Sequence, residues 1–324
     1  MRRILVLLLW MGANAFAQAP TQIIAVVEEF EGDAPTAANE AASSNTPAIS
    51  NAPASSNAPA LVTQLRATFA KTAAGWRSVC RIAGLEGERR DCAPAELDQR
   101  REWVALAAGK RATIATRGWY QPERPMMLGM LNIVDGAVPR SGVRSSEFAG
   151  WMGGEFEAPV LALAHPALLR ATDWKRATLG RDDLALATKA LADSIGEVPG
   201  CNPDQPGPKL APQHLISRTA WASSRGERLF SVSLNRKLLG DCDRPPSIEW
   251  SDFLFYAPAR GQPTLINLGY TGAHAVRVGF VAIGDFDGDG KAELLLWRST
   301  INEDGYVLLF DGFAKGVKGA WNYH

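Results

Sequence analysis

The sequence is poor in the residues from which most catalytic and metal sites are built. Its 324 residues include only four histidines and four cysteines. His165, His214, His274 and His324 stand apart, none in an H-E-x-x-H pair and none beside a plausible nucleophile. There is no G-x-S-x-G elbow and no phosphate-binding G-x-x-x-x-G-K-[ST] loop, so no motif announces an enzyme. Glu155, Glu157 and Glu249 are acidic enough for a glycosidase, but their separation is not readable from sequence. No C-x₂-C occurs and no histidine lies at ligand spacing from a cysteine, which argues against structural zinc. An excess of one charge is missing too: 34 Lys and Arg balance 34 Asp and Glu. That balance argues against a nucleic-acid partner or an anionic-membrane binder. No run approaches eighteen apolar residues, so no transmembrane segment is expected.

What remains is a globular composition, 46% apolar and 21% charged, long enough for two domains or one large β domain. Met1-Arg2-Arg3, an apolar run from Ile4 to Met11 and the small-x-small site Ala15-Phe16-Ala17 predict a secretory signal over residues 1–17. An exported chain, periplasmic or extracellular, with an even cysteine count invites disulfides. Three pairings are possible; Cys80–Cys92 and Cys201–Cys242 close the shorter loops and are the expected ones. Between Glu31 and Ala60 the chain is dominated by Ala, Ser, Asn and Pro and repeats every six residues, with no hydrophobic face to stack. Residues 18–62 are accordingly expected to be a disordered tether.

The remainder divides into a mixed α/β region over 63–210 and a β-hairpin region over 211–324. Asp182-Asp183, an apolar stripe at Leu184, Thr188, Leu191 and Ile195, and Gly196 predict a helix over about 183–195. A weaker helix runs from Pro94 to Ala108, although Trp103 to Ala107 reads equally well as a strand. Hairpins are expected at 215–222 with 228–234, and at 249–256 with 264–268. Strands at 276–283, 293–299 and 306–310 follow, the last two joined through Asn302-Glu303-Asp304-Gly305. The fold class expected is mainly β with one or two helices (α+β), an antiparallel meander resembling part of a propeller. Trp221, Trp250 and Trp297 lie in strand patterns and are assigned to the core. Trp119 and Trp151 sit in Gly-bearing loops where an indole could meet a sugar or a partner side chain.

The most informative segment is Gly284-Asp285-Phe286-Asp287-Gly288-Asp289-Gly290-Lys291-Ala292-Glu293. Carboxylates at positions 1, 3 and 5 aim hard oxygen ligands into one concavity, and the glycine at position 6 lets position 7, Lys291, offer its carbonyl. Calcium is the natural occupant of such a donor set, because magnesium demands tighter octahedral geometry. An EF-hand would need Glu at position 12 between helices; here position 12 is Leu296 and both flanks are strand-like. The loop must close differently, with Glu293 as its last acidic residue.

On these residues the chain resembles the FG-GAP or VCBS-type repeat, the calcium-bearing β-hairpin of integrin α-subunit propellers and of many exported bacterial proteins. The match runs from Gly284 to Leu294, with Glu293 where the family usually has Asp, and a single copy is present. The resemblance implies Asp285, Asp287, Asp289 and Glu293 as side-chain ligands and Lys291 as a backbone ligand. It also implies a role in binding or scaffolding in the envelope or outside the cell, toward an unidentified protein or glycan. The alternative is a secreted hydrolase braced by the same calcium hairpin.

Overall fold

The computed structural model describes residues 22–31, 61–83, 89–92, 102–107, 109–120, 130–140, 159–196, 198, 207–235, 251–268, 276–300 and 303–322. The proposed signal at 1–17, the six-residue repeat, and Cys201 and Cys242 lie outside them, as do Trp151, Trp250, Glu155, Glu157, Glu249, His274 and His324.

The first nine strands are β1 (Ile23–Glu31), β2 (Leu61–Thr72), β3 (Gly75–Ser78), β4 (Cys80–Ala83), β5 (Arg89–Cys92), β6 (Glu102–Ala107), β7 (Lys110–Tyr120), β8 (Met130–Asp135) and β9 (Val160–Leu163). Six of them close a ring in the order β1-β9-β6-β7-β8-β2, because β1 pairs with β9 on one edge and with β2 on the other. Every pairing in the ring is antiparallel, so the result is a six-stranded barrel with β3 extending from β2. Strand alternation explains its filling. Ile23, Ala25 and Val27 of β1 point inward with Leu65, Ala67, Trp103, Ala105, Ala107, Val160 and Ala162. Barrel diameter grows with strand number, and six strands leave a narrow lumen that Trp103 and Leu65 fill together with small alanines.

This corrects the tether. Residues 23–31 form β1, and Ile23 to Val27 are all buried. A strand covered on both faces carries an unbroken apolar run instead of an alternating one. The segment Ile23-Ile24-Ala25-Val26-Val27 is such a run, and it precedes the low-complexity stretch instead of belonging to it. At the other end, β2 begins at Leu61, inside the expected tether by two residues.

The second sheet comprises β10 (Lys175–Arg176), β11 (Leu215–Ala222), β12 (Arg228–Leu234), β13 (Asp252–Ala257) and β14 (Thr264–Leu265), in that spatial order. The third comprises β15 (Arg277–Gly284), β16 (Glu293–Ser299), β17 (Glu303–Phe310) and β18 (Lys315–Asn322), again in chain order. Both are antiparallel meanders, and with one helix packed on them the fold is mainly β, as the turn spacing indicated.

The third sheet is the middle layer. Along β16, Leu295 and Trp297 face the outer wall of the barrel, meeting Ile24, Val26, Phe69 and Leu163. Leu294 and Leu296 face the other way, toward Leu229, Leu254 and Trp174 of the second sheet and its approach. All seven residues of β16 are buried, which is why its sequence is a solid Leu-Leu-Leu-Trp run. The two meanders stack face to face, and beside them the first strands close into a barrel that the turn spacing does not predict.

The helix α1 (Arg181–Ile195) covers the far face of the second sheet, burying Ala187 and Leu191 against Phe230, Val232, Phe253 and Phe255. Its first turn is closed by Asp183, whose Oδ2 accepts a 3.2 Å hydrogen bond from the Gly180 N–H, and Gly196 (φ +70°) ends it. Because α1 and β10 pack with β11–β14, the layer change does not fall at the expected boundary of 210/211. Trp103 to Ala107 is strand, within β6, so the second half of the weaker helix resolves to the alternative reading. Glu303, Asp304 and Gly305 lie in β17, with Asp304 opposite Ser299, so Asp304 and Gly305 are strand residues and not part of the turn. Gly305 serves strand packing instead, since a Cβ there would lie 2.5 Å from the Ala320 Cα in β18.

Candidate metal centre

The acidic loop joins β15 to β16, whose register brings Gly284 opposite Glu293 and leaves residues 285–292 as the connection. Alternation across it is strict. Phe286 turns into the core between barrel and middle sheet and is 1% exposed, while Asp285, Asp287 and Asp289 turn to the opposite side. One carboxylate oxygen from each of these three aspartates lies within 4.8 Å of the others, so they could hold a metal ion.

Backbone amides shape the cluster. Asp285 accepts the N–H of Gly288 at 2.7 Å on Oδ1 and that of Gly290 at 3.0 Å on Oδ2. Asp287 Oδ1 accepts the Asp289 N–H, and Asp289 Oδ1 accepts the Lys291 N–H. This winding needs left-handed backbone at Gly288 (φ +77°) and Gly290 (φ +88°), which glycine adopts without strain.

The loop is anchored from outside by residues far off in sequence. The side-chain amide of Gln22, 1% exposed, donates to the carbonyls of Phe286 (2.6 Å) and His165 (3.0 Å), while its oxygen accepts the His165 N–H. The Arg170 N–H donates to the Asp285 carbonyl at 3.0 Å. Lys71, on β2 of the barrel, places its Nζ 2.5 Å from Asp287 Oδ2, and the Asp287 side chain is only 5% exposed. No local sequence pattern marks Lys71 or Gln22; strand pairing brings them here.

Of the four expected side-chain ligands, Asp285, Asp287 and Asp289 converge. Glu293, 1% exposed, is near them but not among the three that converge within 4.8 Å, and its Oε2 accepts the Phe286 N–H at 2.7 Å. Burial pushes its carboxyl up to about 8, and the neighbouring aspartates add to the effect against the Phe286 hydrogen bond. Lys291 extends its ammonium to Asp311 Oδ1 at 2.7 Å; Lys315 pairs with Asp311 Oδ2 at 2.9 Å, and the two lysines hold that carboxyl at about 2. A cleft of about 180 Å³ opens beside the cluster, bounded by Lys71, Trp76, Asp289, Glu293, Phe310 and Lys315.

Trp119, expected in a loop, lies in strand β7. His165 occupies the N-cap position of a short 3₁₀ turn without a side-chain capping bond, and His214 Nδ1 accepts the Ala211 N–H at 3.1 Å. Trp297 is 7% exposed and Trp221 packs against the same layer, in line with their core assignment. Cys80 of β4 stands directly opposite Cys92 of β5 in the backbone register. Among the described residues no helix is long and apolar enough to cross a membrane. No known family matches the chain, and no curated protein or solved structure is significantly similar to it.

Proposed function

We propose that the protein is an exported calcium-binding protein of the binding or scaffolding type, acting in the cell envelope or outside the cell on a protein or glycan. The observation that carries this reading is the convergence of Asp285, Asp287 and Asp289 within 4.8 Å on a β-hairpin. Three hard oxygen donors on a loop wound by glycines suit calcium better than a softer or smaller ion. The strand–acidic loop–strand order also supports kinship with the FG-GAP or VCBS-type hairpin. Export is supported by the leader-like residues 1–17 and by the facing of Cys80 and Cys92, a register compatible with a disulfide. The secreted-hydrolase alternative has one point in its favour, the buried Glu293 carboxyl bordering the cleft.

Calcium would be held by the three aspartates and supply rigidity to the β15–β16 connection. The test is a titration of the mature protein with calcium, and separately with magnesium, followed by tryptophan fluorescence. Saturable binding of calcium, weaker for magnesium and lost in Asp285→Asn, is expected; equal response to both ions would count against a calcium site.

A further inference from the structure

Among the described residues, Lys71 is the one cation in a direct ion pair with the three aspartates, and it arrives from a different layer of the fold. Its Nζ lies 2.5 Å from Asp287 Oδ2, while the side chain keeps 33% of its surface exposed and passes over the Trp76 ring at 5.4 Å from the centroid. The ammonium therefore occupies one of the two Asp287 carboxylate oxygens that could serve a metal. A calcium ion bound to that atom at about 2.3–2.6 Å would lie within about 5 Å of the ammonium. Two cations at that separation repel strongly enough, even at the dielectric of water, to change affinity by about tenfold.

We infer that Lys71 is a tethered competitor for the metal: it neutralises Asp287 when calcium is absent and is expelled when calcium binds. The expelled side chain has somewhere to go. Lys71 itself borders the adjoining cleft, and with 33% of its side chain already exposed the ammonium can leave Asp287 for water there. The exchange would break the ion pair between barrel strand β2 and the β15–β16 loop, so metal occupancy is communicated to the barrel instead of staying within the hairpin. This inference rests on the calcium reading above and adds its regulation.

Equilibrium dialysis with radioactive calcium tests it on the full mature protein, comparing wild type with Lys71→Met, Lys71→Gln and Lys71→Arg. Removing the ammonium in either of the first two variants is expected to tighten calcium binding about tenfold. Lys71→Arg, which keeps the charge, should stay within about threefold of wild type on the same electrostatic ground. A second readout is stability: the neutral variants should melt below wild type in EDTA, and the gap should close in saturating calcium. Unchanged or weaker binding in a folded neutral variant, with wild type binding normally, overturns the competitor role alone. Calcium binding by neither wild type nor the neutral variants overturns the metal reading as well. Binding only by the neutral variants would show the competitor at its strongest.

Discussion

Glu293 Oε2 accepts a 2.7 Å hydrogen bond from the backbone N–H of Phe286, seven residues earlier. The bond spans the base of the acidic loop and ties the first residue of β16 to the side of the loop that dives into the core. Glu293 thus closes the loop mechanically, while Asp285, Asp287 and Asp289 supply the converging oxygens.

The same burial makes the metal-free protein sensitive to pH. The Glu293 carboxyl is raised to about 8 in the fold, against an ordinary 4.5, so the folded state binds the proton more tightly than the unfolded chain. Its contribution is fully present below the unfolded value and is lost as pH rises through about 8. The loss is on the order of 3 kcal/mol. In EDTA, stability should fall between pH 5 and pH 8, and Glu293→Gln should flatten that slope. A slope identical in the variant would assign the pH dependence elsewhere.

A second buried cluster joins the barrel to the middle sheet. Arg66 Nε and Nη2 each donate to Glu28 Oε2 at 3.0 Å, and the Tyr306 hydroxyl donates to Glu28 Oε1 at 2.5 Å. With Arg66 at 4% and Glu28 at 12% side-chain exposure, removing one partner strands a desolvated charge. Arg66→Met should cost about 3–5 kcal/mol in urea unfolding. The double variant with Glu28→Gln should recover much of that loss; no recovery would mean that Arg66 acts through packing alone.

Asp304 borders this cluster and is raised to about 6, first by burial, with Glu28 and Glu303 adding and Ser299 and Arg298 opposing. By the same sign, its charge weakens the fold as pH climbs through about 6. Asp304→Asn should therefore stabilise by about 1–2 kcal/mol at pH 8 and by nothing measurable at pH 4. Thermal melts at the two pH values check it, and destabilisation at pH 8 would contradict it.

Gly305 offers a steric test. A Cβ there would lie 2.5 Å from both the Ala320 Cα and the Gly319 carbonyl oxygen, whereas one at Gly75 (φ +112°) meets nothing within 4 Å. Gly305→Ala must push β18 off β17 and should cost about 1–3 kcal/mol by overpacking. Hydrogen exchange should show β18 amides losing protection in Gly305→Ala.

What could be read from the sequence was whatever is local. The hairpin of β11 and β12, the helix α1 and the β15–loop–β16 unit each carry their own punctuation, in Ser224-Arg225-Gly226, in Asp183 and Gly196, and in the alternating aspartates. What depends on distant partners was not readable. β1 looked like the start of a tether because its strand character comes from pairing with β2 and β9 at once. Gly305 looked like a turn residue because the chain that crowds it, β18, lies elsewhere. Within the site, the three aspartates announced themselves by spacing, but Lys71 reaches them only through the barrel, and the backbone bond that occupies one Glu293 oxygen has no sequence signature.

The account stands or falls on the aspartate cluster as a calcium site. The most direct measurement is thermal unfolding of the protein in 10 mM calcium and in EDTA, beside Asp287→Ala; for a Kd of about 10⁻⁴–10⁻³ M, that calcium concentration adds about 1.4–2.7 kcal/mol. The account predicts a calcium-dependent rise in Tm for wild type and none for Asp287→Ala. No rise in wild type, or an equal rise in the variant, would reduce Asp285, Asp287 and Asp289 to a hydrogen-bonded turn.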